Sequence, residues 1–130
     1  EVKIHSSWAV IGTKGSVQGH HTHGDGSTAG GRHISGVYYV SGIPSPDAGR
    51  LHLQSPHNPL NPETFPFGNK CFMNAWFDAL PGRVIMFPAW MTHWVSPIYL
   101  EDHKRIAISF NITAENGHPI PMEDRTTWYF

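Results

Sequence analysis

Gly82-Arg-Val-Ile-Met-Phe-Pro-Ala-Trp-Met-Thr-His93, with Arg105 twelve residues further on, is the stretch whose reading decides the fold. Its apolar run from Arg83 to Phe87, closed by a proline, reads as a strand covered on both sides. Upstream, Gly15-Ser-Val-Gln-Gly-His-His-Thr-His-Gly-Asp25 carries His21, His23 and Asp25 at alternate positions. Extended backbone alternates its side chains, so these three project to one face. Joined to His93 from a distant strand, they would make an open-sided metal site inside a β-barrel.

Two ligand sets fit these residues. His23, Asp25 and His93 follow the two-His-one-carboxylate pattern with which non-haem Fe(II) oxygenases leave one side of the metal free. His21, His23 and His93 form a rival set in which a neutral imidazole replaces the carboxylate. His23 and His93 belong to both. Arg105 opens the strand Arg105-Ile-Ala-Ile-Ser-Phe-Asn-Ile112, where the alternating positions Ala107, Ser109 and Asn111 are small or polar. An arginine on an inward face needs an anion, because an unpaired buried charge is costly. A planar guanidinium suits a carboxylate in a bidentate pair, so a carboxylate-bearing cosubstrate is expected there.

The whole chain agrees with a small β-domain. Its 130 residues suit one domain over 1–130, and a start at Glu1 suggests that a preceding extension is missing. Thirteen Gly and eleven Pro punctuate the chain too often for long helices. A net charge of −1 gives no footprint for nucleic acid or an anionic membrane. Cys71 is the sole cysteine, which excludes an intrachain disulfide, and it reads as a small buried hydrophobe. With no long apolar run and no signal peptide, the expected location is cytoplasmic. Oligomeric state and primary substrate leave no trace in the sequence.

Strands are expected over Ser7–Ile11, Ile34–Val40, Gly49–Gln54, Arg83–Phe87, from Trp94, and over Arg105–Ile112. Ser55 to Gly68, rich in proline, reads as a loop, and Asn69 to Leu80 as a short strand or a helical turn. Trp90, Met91 and Trp94 around His93 read as core residues, with shielding of the metal or stacking on substrate as a second reading for Trp94. Many short strands between turns indicate an all-β fold. The metal motifs select a double-stranded β-helix (a cupin-like jelly roll) with short helical or irregular insertions.

From about Trp8 to Ile112 the chain resembles the 2-oxoglutarate/Fe(II)-dependent oxygenase superfamily, in particular a small group found in phages and marine bacteria. The resemblance is carried by Gln18 to His23, by Ser35-Gly-Val-Tyr-Tyr39, by Gly82 to His93, and by Arg105 to Asn111. It implies that His21, His23 and His93 surround Fe(II), with Asp25 as the alternative to His21 or as an acceptor that orients a histidine. It implies that Arg105 binds the distal carboxylate of 2-oxoglutarate, that Tyr39 donates its hydroxyl to the same carboxylate while Tyr38 faces away, and that Ser109 adds a hydrogen bond. The implied activity consumes O2 and 2-oxoglutarate, hydroxylates a further substrate, and releases succinate and CO2. One departure is the segment Gly24 to Arg32, longer and richer in glycine than the usual turn. A metal-binding cupin (a dioxygenase without a cosubstrate, an isomerase or a small-ligand sensor) is the rival. It matches Gly15-x5-His21-x-His23 and Gly82-x5-Pro88 but lacks the expected Glu, and it has no use for Arg105. A non-catalytic phage jelly-roll module is the third reading.

Overall fold

The computed structural model describes residues 2–24, 33–54 and 74–114, and every regular element among them is a strand. In chain order these are β1 (Val2–Gly12), β2 (Gln18–His21), β3 (Ile34–Ser41), β4 (Leu51–Gln54), β5 (Asn74–Phe77), β6 (Val84–Pro88), β7 (His93–Val95) and β8 (Arg105–Ala114). They form two antiparallel four-stranded sheets, ordered β1-β8-β3-β6 and β2-β7-β4-β5. The chain passes repeatedly from one sheet to the other, which is the expected double-stranded β-helix. Of the expected short helical or irregular insertions, the described residues contain only irregular ones. Asp25, the proline-rich segment and Cys71 lie outside them.

Alternation builds the core. Val37 and Tyr39 on β3, Leu51 on β4, Ile85 and Phe87 on β6, Val95 on β7 and Ala107 on β8 meet between the sheets, with Leu53, Phe77 and Met91 packed against them. Each large side chain buried there contributes about 1.5–3 kcal/mol of transfer free energy. β6 departs from the sequence reading. Ile85 and Phe87 are 8% and 7% exposed, whereas Val84 and Met86 are 52% and 59% exposed. The strand is covered on one face only. It sits at a sheet edge, and an unbroken apolar run does not report how many of its faces are occupied. Trp90, expected in the core, is half-exposed in the turn beyond β6.

Gly36 shows how tightly β3 and β8 pair. It lies opposite Phe110, and a Cβ built on it would fall 2.3 Å from the Phe110 Cζ. The Phe110 ring lies against bare backbone, and no side chain at position 36 leaves it that room.

Candidate metal centre and carboxylate pocket

His21, the last residue of β2, is the direct cross-strand partner of His93, the first residue of β7. Their ring centroids are 4.1 Å apart. His23 lies two residues beyond the end of β2, where its backbone N–H donates to the Ala89 carbonyl at 2.9 Å. Regular pairing has ended there, yet the His21 and His23 rings remain stacked, 5.2 Å apart and 26° from parallel. One potential ligand atom from each of the three imidazoles falls within 4.8 Å of the others. This is the His21, His23, His93 set foreseen from the sequence. Asp25, its competitor, lies outside the described residues.

The hydrogen bonds choose which ring nitrogen each histidine offers. His21 Nδ1 is 2.7 Å from the Gly19 carbonyl, His93 Nδ1 is 2.9 Å from the Met91 carbonyl, and His23 Nδ1 is 2.7 Å from Asn111 Oδ1. Each acceptor is an oxygen without a proton, so each Nδ1 donates, and in the neutral ring the lone pair then lies on Nε2. Imidazoles clustered from facing segments, each with its Nδ1 tied down, are a donor set that suits a divalent metal through Nε2. The exposed Gln18 amide, its Nε2 3.4 Å from His21 Nε2, points a proton at one of those lone pairs. A metal would take its place.

Burial, opposed in part by the Met91 carbonyl and reinforced by the neighbouring His21 and His23, pushes the His93 pKa down to about 4. His93 is therefore neutral at physiological pH, as a metal ligand must be.

Arg105, only 4% exposed, opens β8 on the inward face. Its Nη2 donates to the Tyr39 hydroxyl at 3.3 Å, and among the described residues its buried Nε has no hydrogen-bond partner. A buried charge with an unused donor is the orphan that an incoming carboxylate satisfies. Tyr39 is fully buried and Tyr38 is exposed, the alternation expected along β3. Arg105 and Ser109 line the same cleft as His21, His23 and His93, walled by Val37, Leu51, Phe87 and Val95. Trp94 is not part of it. Its ring stacks between His20 and His52, at 4.2 and 4.9 Å, one residue along β7 from the inward-facing His93. The shielding and substrate-stacking reading of Trp94 is thus corrected by the alternation of the strand.

Sequence reasoning passed over Trp8, whose ring centroid is 5.7 Å from that of His23, and Asn111 with its serine partners. The signal for Asn111 was available. An amide on the inward face of β8 must be hydrogen-bonded once buried.

A family model described as "Putative 2OG-Fe(II) oxygenase" matches residues 6–111. Among solved structures, a Pseudomonas putida prolyl-4-hydroxylase is 16% identical with a TM-score of 0.58, over 87% of this chain and 53% of that one. HygX from Streptomyces hygroscopicus, with nickel and 2-oxoglutarate bound, is 14% identical with a TM-score of 0.63, over 88% of this chain and 59% of that one. HygX with iron bound gives the same values of 14% and 0.63. Identities this low speak for a shared fold. The chain spans 53% to 59% of the length of these structures. Among curated proteins there is no match.

Proposed function

Because the chain belongs to the 2OG-Fe(II) oxygenase family, we propose that it is an Fe(II)- and 2-oxoglutarate-dependent dioxygenase that hydroxylates a further substrate. The observation that carries the reading is the pairing, in one cleft, of three clustered imidazoles with a buried guanidinium that has an unused donor. His21, His23 and His93 would hold the metal through Nε2. Arg105 would take the distal carboxylate of 2-oxoglutarate. The Tyr39 hydroxyl, accepting from Arg105, keeps its own proton free to donate to the same carboxylate. Ser109 stands on the Arg105 face of β8 as a further donor.

When bound, iron, 2-oxoglutarate and O2 supply the oxidation, with succinate and CO2 as co-products. The chain's own part is orientation and exclusion of water. Val37, Leu51, Phe87 and Val95 wall the cleft, and an arginine–carboxylate pair formed against them is stronger than one in water. The described residues contain no helix long and apolar enough to cross a membrane. A reducing cytoplasm, in a marine bacterium or a phage-infected host, suits Fe(II) and the lone Cys71, and belongs to the proposal, as does a single oxygenase domain over 1–130.

With Mn(II) present, 2-oxoglutarate should raise the melting temperature of the protein. With Fe(II) and air, succinate should form. No shift at millimolar 2-oxoglutarate would sink the proposal.

A further inference from the structure

We propose that Asn111 is a positioning residue that fixes His23 in the Nδ1–H tautomer and thereby aims its Nε2 lone pair at the metal. The inference rests on the metal reading above and deepens it.

Asn111 is 2% exposed and stands on the inward face of β8, six residues from Arg105. Its two cross-strand partners are serines, Ser6 on β1 and Ser35 on β3. The β1 register shifts between Ile4 and Ser6, so that Ile4 pairs with Ile112 but Ser6 pairs with Asn111. Without that bulge His5 would stand opposite Asn111. Bulges re-aim side chains in this way, and here the result is a row of three small polar groups across the sheet.

The amide is bonded to both serines and to His23. Asn111 Oδ1 accepts from the Ser35 hydroxyl at 2.8 Å and from His23 Nδ1 at 2.7 Å, and Asn111 Nδ2 donates to the Ser6 hydroxyl at 3.1 Å. Oδ1 has two lone pairs, and both are used. Turned end for end, the amide would offer Nδ2 to His23. The imidazole proton would then have to sit on Nε2, and the metal face would be closed. The amide orientation and the His23 tautomer are therefore one variable, and the observed arrangement is the metal-competent one. His21 and His93 need no such device, because backbone carbonyls, which can only accept, fix their Nδ1–H groups. His23 lies past the strand end and has its Nδ1 on a side chain instead.

The test uses the full chain, with Mn(II) alone as the probe. Asn111→Leu removes the acceptor at nearly constant volume and should weaken Mn(II) binding by roughly 10–100-fold. Asn111→Asp can only accept, so it should restore Mn(II) binding to within about threefold of the parent, a rescue that a merely space-filling role would not give. Nitrogen-15 NMR of the histidines in the metal-free parent protein should show His23 protonated on Nδ1. His23 protonated on Nε2, or Asn111→Leu binding Mn(II) like the parent, would overturn the proposal. So would a folded Asn111→Asp that binds as weakly as Asn111→Leu. Should the leucine variant not fold, the tautomer in the parent protein still decides. A parent protein that takes up no Mn(II) would refute the metal reading, while the NMR result would separately decide the role of Asn111.

Discussion

Arg105 and Tyr39 form a diagonal pair across β8 and β3, with Tyr39 directly opposite Ala107 and its hydroxyl 3.3 Å from the Arg105 Nη2. Both side chains face the core, so a charge and a hydroxyl sit together where water is scarce. Arg105→Ala should keep metal binding and lose 2-oxoglutarate affinity by roughly 10–150-fold, the worth of hydrogen bonds to a charged group. Titration calorimetry with Mn(II) present measures both. An unchanged cosubstrate constant would show that the carboxylate binds elsewhere.

Tyr39→Phe removes one hydroxyl and little else, since the ring remains in the core. The expected loss is about 1 kcal/mol, roughly fivefold in 2-oxoglutarate affinity, with metal binding unaltered. A larger effect on metal than on cosubstrate would place the hydroxyl in the wrong half of the cleft.

The identity of the third ligand is open to direct measurement. His93→Ala and His21→Ala should each abolish stoichiometric iron, and Asp25→Ala should retain it, as read by metal analysis after reconstitution. Retention by His21→Ala together with loss in Asp25→Ala would reassign the site to the carboxylate set.

In the metal-free protein, His93 should carry no proton until the pH nears about 4, against 6.5 for an ordinary histidine. Between those values the unfolded chain binds the proton and the folded one does not, so stability rises with pH across this window and falls on acidification through it. Denaturant melts between pH 4 and 7 should show that slope, and His93→Gln should flatten it. An equal slope in the variant would assign the effect to other groups.

Gly36→Ala should destabilise by about 1–3 kcal/mol, because the added methyl collides with the Phe110 ring at a built distance of 2.3 Å. Phe110→Ala costs stability by itself, but the double variant should be more stable than the sum of the two changes implies. Strict additivity would mean that the ring moves aside freely.

Much of this site is legible in the sequence. His21, His23 and His93 could be grouped because alternation and motif order constrain where strand residues point, and Arg105 because a charge opening an apolar strand demands a reason. The starts of β3 and β8 followed from β-branched and aromatic runs bounded by turn residues, while each strand runs one or two residues further than those runs suggest. The Val84 and Met86 face did not follow, since hydrophobicity records what a surface could bury and not what arrives to bury it. The place of Trp94, between His20 and His52, did not follow for a related reason. Proximity to His93 in sequence is opposite-facedness in a strand.

By itself, then, the sequence determined the all-β architecture, the candidate ligand types and the candidate anion-binding arginine, because strand period and residue chemistry are local properties. Tertiary structure decided the rest. It brought His93 opposite His21 across β2 and β7, set the Tyr39 hydroxyl on Arg105, and through a one-residue bulge in β1 put Ser6 opposite Asn111. Register between strands distant in the chain fixes those contacts, and register depends on the packing of all the strands at once.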